Sequence, residues 1–340
     1  MNPSGPIRVA CLGAGYFSQF HYDAWSRIEG VEVVASADLN IAAAQATGLP
    51  TFGSLAELLA AEIPDVLDII LPPPGHAPSV RMAIAAGVGT IICQKPFCRD
   101  LEEARTIAAE ADAAGVTLVV HENFRFMPWY RFIREQIDSG RIGTPMQATF
   151  RLRPGDGQGP DAYLDRQPYF QQMPHFLIHE TGVHWIDTFR FLFGNPTAVY
   201  ADLRQINPVI AGEDAGMVLF DHPDGVRTVF DGNRLADHVA ENRRRTMGEA
   251  TFEGTGGCLT LLGDGSVSFR AFGSNDTEIV LGPDRSTGFG GDCVLHLQSH
   301  VVDCLRNGTG PENTAADYLT VIAVRDAIYA SAENGRKVML

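Results

Sequence analysis

Near its amino terminus the chain runs Ile7-Arg8-Val9-Ala10-Cys11-Leu12, β-branched and apolar, straight into Gly13-Ala14-Gly15-Tyr16-Phe17-Ser18 and then a helix-like segment through Arg27. A strand that leaves through two glycines and enters a helix at once has few folds open to it. Gly13 permits the tight turn, and Gly15 lets the backbone come close to a bound group. Ser18, where such turns place a third small residue, lets helix and strand stay close. The amino end of the helix offers N–H groups and the positive end of its dipole to an anion such as a pyrophosphate. A glycine triplet alone is weak evidence; its place between strand and helix gives it weight.

The next strand pattern, Val31 to Ala37, ends at Asp38, an acid about twenty positions beyond the glycines. That is where ribose hydroxyls are gripped in dinucleotide folds, and its charge repels a 2′-phosphate, so the cofactor expected is NAD in preference to NADP. A helix cap ahead of Ile41 to Thr47 is the plain alternative for Asp38. Ser54-Leu55-Ala56-Glu57 has the form of a capping box. The strand pattern Asp65 to Leu71 stops at Pro72-Pro73-Pro74, followed by His76. Prolines at a strand end make a rigid wall that suits a flat ring. Thr90-Ile91-Ile92-Cys93-Gln94-Lys95-Pro96-Phe97 is a further strand that closes in an amide, a lysine and a proline. In an open parallel sheet ligands bind beyond the carboxyl ends of the strands, so Gln94 and Lys95 are candidate site residues; an exposed turn lysine is the plain alternative. With the helix Leu101 to Ala114 and the strand Val116 to Val120, the alternation predicts a doubly wound parallel sheet, a Rossmann-type α/β domain over 1–123.

From His121-Glu122-Asn123-Phe124-Arg125 the character changes. A helix from Pro128 to Ser139 precedes an alternating strand from Met146 to Arg153, a polar loop from Pro154 to Asp161, and one long helix from Phe176 to Phe193. Strand-like stretches without helices between them follow: Thr197 to Ile206, Ala215 to Asp221, Arg227 to Asn233, Ala250 to Glu253, Cys258 to Leu262 and Ser266 to Phe272. Turns are expected at Asp221 to Gly225 and Gly263 to Gly265. This predicts a second, α+β domain over 124–340 with a largely antiparallel sheet. Its helical tail, Val294 to Arg306 and Ala315 to Ala332, is expected to pack on that sheet or on the first domain.

Composition narrows the function. A chain of 340 residues with net charge −15 and pI near 5.0 has no Lys/Arg stripe beyond Arg243-Arg244-Arg245, which argues against a nucleic-acid binder. Cys11, Cys93, Cys98, Cys258, Cys293 and Cys304 form no C-x-x-C pair, so buried reduced thiols are expected. Met1 to Pro6 is polar and no apolar run reaches a membrane span; the expectation is a cytoplasmic protein, without membrane contact.

Chemistry concentrates in Glu180-Thr181-Gly182-Val183-His184-Trp185-Ile186-Asp187. On one continuous α-helix Glu180 and His184 share a face, and Asp187 could orient the imidazole. A carboxylate beside a histidine is the hardware of general base catalysis near neutral pH; a surface ion pair is the bland alternative. Metal binding by His175, His179, Glu180 and His184 is set aside, because His179 and His184 lie on different faces and Pro174 places His175 in a loop or first turn. Asn123, Arg125, Tyr163, Asp165, Arg166 and Tyr169 are further candidate substrate contacts, the last four in a loop that could act as a cover.

Taken together these segments resemble the family of glucose-fructose oxidoreductases and inositol dehydrogenases, Gfo/Idh/MocA. Gly13-Ala14-Gly15 is similar to its dinucleotide loop, and Leu71-Pro72-Pro73 with His76 to its Thr-Pro-Asn…His segment. Gln94-Lys95-Pro96 is similar to its Glu-Lys-Pro signature, and Glu180-Thr181-Gly182-Val183-His184 with Asp187 to its Asp-x-Gly-x-His helix. The resemblance implies hydride transfer between nicotinamide and a sugar or cyclitol, in a cleft between a Rossmann domain and an open sheet of about six strands. It implies Tyr16, Phe17, Pro72, Pro73, His76, Gln94 and Lys95 beside the cofactor, His184 as general base, and Lys95 hydrogen-bonding the reacting hydroxyl. A homodimer or homotetramer through the outer face of the second sheet is also implied, with Val199, Val218, Leu219, Val229 and Phe230 as its apolar candidates. Gln94 stands where the family usually has glutamate and Glu180 where it has aspartate, which alters the lysine's partner and the substrate read. Reduction of a keto sugar, elimination with a recycled cofactor, and a non-catalytic NAD sensor are the competing readings.

Overall fold

The computed structural model describes residues 5–340; of the polar Met1 to Pro6 segment, the first four residues lie outside that range. The chain divides into two compact units. The first comprises the chain as far as Asn123 together with Val294–Ile322, and the second Phe124–Cys293 with Ala323–Leu340.

In the first unit, β1 (Ile7–Leu12), α1 (Ser18–Ser26), β2 (Val31–Ala37), α2 (Ile41–Gln45), β3 (Thr51–Phe52), α3 (Leu55–Ala61), β4 (Val66–Ile69), α4 (His76–Ala86), β5 (Thr90–Gln94), α5 (Leu101–Ala113) and β6 (Thr117–His121) alternate as the sequence predicts. The strands form a six-stranded sheet in the order β3-β2-β1-β4-β5-β6, every pair parallel. β4 and β5 are buried along their whole length, which is why they read as continuous apolar runs. Helix starts follow their caps: the side chains of Asn40, Ser54 and Asp100 accept from the backbone N–H three residues on. The cap of α2 is therefore Asn40, and Asp38 is left for another role.

The later part of this unit is α8 (Cys293–Asn307) and the start of α9 (Ala315–Asn334). The segment between them is sewn to the end of β6. Val120 N–H donates to Asn313 O (2.8 Å), Asn313 Nδ2 donates to Glu122 O (2.6 Å), and Tyr318 O–H donates to Glu122 Oε2 (3.3 Å).

The second unit holds α6 (Pro128–Asp138), β7 (Pro145–Leu152), α7 (Val183–Phe193), β8 (Ala198–Arg204), β9 (Ala215–Asp221), β10 (Arg227–Asn233), β11 (Gly248–Gly254), β12 (Gly257–Leu261), β13 (Val267–Ala271), β14 (Glu278–Leu281) and β15 (Val338–Met339). Its sheet runs β14-β13-β12-β11-β7-β10-β9-β8-β15, antiparallel except for the pair β7/β10. Nine strands replace the six or so implied by the resemblance, because β14 and β15 are short edge pieces with too few residues to show a period. The inner face carries Ala148, Phe150, Leu152, Val218, Phe220, Phe230 and Phe252, all buried. α7 crosses this face: Trp185 stacks on Phe150 at 4.1 Å and meets Phe230 at 5.5 Å, and Phe189 meets Phe220 edge-on at 5.7 Å. A buried aromatic removes roughly 150–250 Å² from water, an upper figure of about 4–6 kcal/mol each at ~25 cal/mol/Å².

The predicted single helix Phe176 to Phe193 is in fact two. Leu177–Gly182 is a π-helical turn and α7 begins only at Val183. The buried Glu213 carboxylate fixes the wide turn: its Oε1 accepts from Phe176 N (3.2 Å), Ile178 N (3.1 Å) and the Tyr329 hydroxyl (2.6 Å). That hydroxyl in turn accepts His179 N–H at 3.1 Å. Nothing local in sequence announces a cap lying thirty-five or more residues downstream.

Candidate active site

The first unit presents a nucleotide cradle. Gly13 has φ +114°, and a Cβ there would come within 2.6 Å of Ile70 O, so only glycine fits. A Cβ on Gly15 would meet nothing within 4 Å, which leaves open space on that side of the loop. Ser18 closes the turn by donating its hydroxyl to Gly15 O at 2.6 Å. Asp38, half-buried at the end of β2, accepts Ala14 N–H and Asn40 N–H, both at 2.7 Å. Its carboxylate is thus braced against the glycine loop. The residues that follow, Leu39 and Asn40, are exposed and uncharged, so the loop offers no cation to a 2′-phosphate. The cradle fits NAD. Tyr16 and Phe17 form the outer rim of the same loop, Tyr16 38 % exposed.

On the far side of the sheet's centre, Pro72 is exposed and Pro73 half-buried ahead of α4. His76 is expected beside the cofactor. It is fully buried, its Nε2 donates to Leu71 O (2.7 Å) and its Nδ1 accepts Cys98 N–H (3.4 Å). Both ring nitrogens are used in clasping the proline turn to the loop after β5. Burial pushes its pKa down to about 4. Gln94 is the buried last residue of β5, and Lys95, half-buried, follows across a cis peptide to Pro96.

In the second unit His184 is 6 % exposed and lies flat on Phe124, with ring centroids 3.8 Å apart and planes 4° apart. Phe124 is itself wedged edge-on against Trp185 at 5.1 Å, so the imidazole is anchored through an aromatic stack to the sheet. Asp187, fully buried, takes both Nε and Nη2 of Arg125 and lies 3.6 Å from Arg190 Nη1. Arg125, expected among the substrate contacts, is thus engaged in a buried bidentate pair. Because of the π turn, the ordinary helical rule that places Glu180 and His184 on one face does not apply across Gly182.

Around Glu180 the structure assembles groups that sequence spacing did not bring together. Thr181 Oγ1 donates to Glu180 Oε2 (3.0 Å) and accepts Arg234 Nη1–H (2.6 Å). The buried Arg234 also grips Asp156 through Nε (3.2 Å) and Nη2 (2.8 Å), and Arg166 pairs with the same carboxylate. Burial alone would raise the Asp156 pKa; the Arg234 and Arg166 charges overcome it and hold the carboxyl below its ordinary range. Tyr163 is a core residue, 3 % exposed, packed on Phe170 and Phe176 with its hydroxyl on Asp156 (3.3 Å). Tyr163 and Arg166 are therefore packed against the Asp156 and Arg234 pair. Asp165 and Tyr169 are exposed, and Tyr169's pKa is pushed up to about 12 by burial of its hydroxyl and by the Glu180 carboxylate. Asn123 is buried just beyond β6. Asp156, Glu213 and Arg234 carry no local sequence signal: Arg234 reaches Asp156 across 78 positions, and Glu213 reaches Phe176 and Ile178 across 37 and 35.

A parallel sheet with a glycine cradle and an acid braced against it, joined in one chain to an antiparallel unit carrying an anchored histidine, defines a dinucleotide-dependent oxidoreductase. The comparisons agree. Residues 7–122 match the oxidoreductase family with an NAD-binding Rossmann fold, and residues 130–258 match the GFO/IDH/MocA C-terminal domain. The chain is 34% identical over 344 residues to a D-apiose dehydrogenase of Paraburkholderia graminis, covering 98% of this chain and 90% of that one. It is 29% identical to a D-apiose dehydrogenase of Rhizobium rhizogenes, covering 98% and 97%. Among solved structures, an oxidoreductase from Agrobacterium radiobacter in complex with NAD+, L-tartaric acid and magnesium superposes with a TM-score of 0.88 at 29% identity, covering 98% of each chain. This chain belongs to the GFO/IDH/MocA family of NAD-binding oxidoreductases.

Proposed function

We propose that the protein oxidises an aldose at its anomeric carbon to a lactone, with NAD as acceptor, and that a branched pentose of the D-apiose type is its first candidate substrate. The observation that carries the reading is the pair Lys95 and His184, each on a rigid support. Lys95 follows directly on the carboxyl end of β5 in the dinucleotide sheet, and His184 is stacked flat on Phe124. Two relatives of nearly full coverage are D-apiose dehydrogenases, which favours a sugar over a cyclitol.

When bound, NAD supplies the hydride acceptor. His184 takes the proton from the reacting hydroxyl, and the Lys95 ammonium donates a hydrogen bond to the same oxygen and stabilises the charge that develops on it. Glu180, one methylene longer than aspartate and tied to Thr181 and Arg234, accepts from a neighbouring sugar hydroxyl. Asp187 and Arg125 act from behind, holding the start of α7 to the turn that carries Phe124. NADH formation by the purified protein, tested with D-apiose, pentoses, hexoses and inositols, checks this reading. Turnover confined to aldoses supports it, and turnover of inositols alone overturns the substrate assignment.

A homo-oligomer through the outer face of the second sheet is part of the same proposal. Val199, Val218 and Phe230 point into the core; Tyr200, Met217, Leu219 and Val229 face outward and supply the apolar surface. Sedimentation of the wild type against a Met217→Glu, Leu219→Glu variant tests it: dimers or tetramers that dissociate in the variant support it, and a wild-type monomer contradicts it.

A further inference from the structure

Gln94, the residue that departs from the family pattern beside Lys95, belongs to an internal chain of hydrogen bonds whose direction is fixed from both ends. The backbone N–H of Lys95 can only donate, and it donates to Gln94 Oε1 at 2.8 Å. The other end of that amide is therefore its NH2 group, which lies 3.0 Å from His21 Nε2. That ring nitrogen must be an acceptor and carries no proton. Nδ1 then bears the hydrogen and donates it to Asp68 Oδ2 at 2.8 Å. From the opposite end, Trp25 Nε1–H, again a donor only, reaches the same oxygen at 2.8 Å, and Gln298 Nε2 approaches it at 3.4 Å. His21 and Asp68 are wholly buried.

We propose that Asp68 and His21 are positioning residues that hold Gln94, and through its amide the backbone of Lys95, in one orientation, with His21 neutral and protonated on Nδ1. The inference rests on the catalytic role proposed above for Lys95. Its physical content lies in the amide. A glutamate at 94 would accept Lys95 N–H with one oxygen and require a donor from His21 Nε2 for the other, which makes His21 an imidazolium between two carboxylates. Glutamine supplies the donor itself, so the chain closes around a neutral ring. Titratable groups that face the pair are His121 of β6, tilted against the His21 ring at 4.1 Å, and the thiols of Cys11 and Cys93 and the Tyr22 hydroxyl, which act on Asp68; the Lys95 ammonium lies one residue beyond Gln94.

The test begins with imidazole-nitrogen NMR on the 15N-histidine-labelled protein. His21 is assigned by its loss in His21→Phe or, where that variant does not fold, by its proximity to the Trp25 indole proton. One protonated Nδ1 and one bare Nε2 are expected; a protonated Nε2 overturns the proposal. Kinetics then test the positioning. Gln94→Glu replaces the donor facing His21 Nε2 by an acceptor and should lower kcat about 10- to 100-fold, with the sugar KM and NAD affinity within about twofold. A kcat equal to wild type contradicts the relay. Near-normal turnover in Lys95→Ala would instead remove the catalytic role of the lysine and leave the NMR result standing.

Discussion

In the proposed reaction Lys95 and Asp38 act by charge, and each has a substitution that isolates it. Lys95→Ala should lower kcat by about 10²–10⁴ while NAD affinity, read by fluorescence titration, stays near wild type; a loss of NAD binding of the same size would place the lysine in the cradle alone. Asp38→Ser removes the charge facing the 2′ position and should raise kcat/KM with NADP by roughly ten- to hundredfold; an unchanged preference for NAD would move discrimination elsewhere. Both residues were legible in the sequence because each sits at a strand end within a local pattern. His21 and Asp68, 47 positions apart, were not, nor was Arg234, which reaches Asp156 across 78. Buried polar partners of this kind are chosen by the tertiary fold, and sequence spacing holds no trace of them.

The elements carry two further expectations. In the π turn before α7, three donors converge on one oxygen of Glu213. Glu213→Gln keeps that oxygen and should cost little, whereas Glu213→Ala leaves buried donors unpaired and should cost about 2–4 kcal/mol of unfolding free energy in urea; equal losses in both would show that charge, and not the acceptor, holds the turn. The proline turn after β4 makes stability depend on acid. His76 ionises near 6.5 when unfolded and at about 4 when folded, so above 6.5 it is neutral in both states and adds no slope. As pH falls from 6.5 to about 4 the unfolded chain takes up the proton first, and roughly 3 kcal/mol of stability drains away. His76→Gln should flatten that part of the stability profile; a slope equal to wild type would mean the acid sensitivity arises elsewhere, for example at His222, whose pKa burial also lowers. Most strands and α-helices of the first unit were readable because they carry a period and a stop, and α2, α3 and α5 a side-chain cap as well; the two-residue β3 was too short to show. The π turn was not, since its sequence keeps a helical pattern while its geometry is imposed by Glu213.

At the scale of the whole molecule, the order of segments along the chain says more than any one of them. Glycine turn, acid-ended strand, lysine-ended strand and histidine helix, in that order over one chain, carry the family in the sequence; the nine-stranded sheet, the Arg234 cluster and the buried relay behind Lys95 exist only in the fold. In the proposed reaction a hydride leaves the anomeric carbon of an aldose for NAD. The most direct measurement is turnover of D-apiose deuterated at that carbon, with mass analysis of the NADH formed. Deuterium carried into the nicotinamide, at a rate slower than with unlabelled sugar, is the predicted result; NADH free of deuterium, or turnover without net NADH, would contradict it.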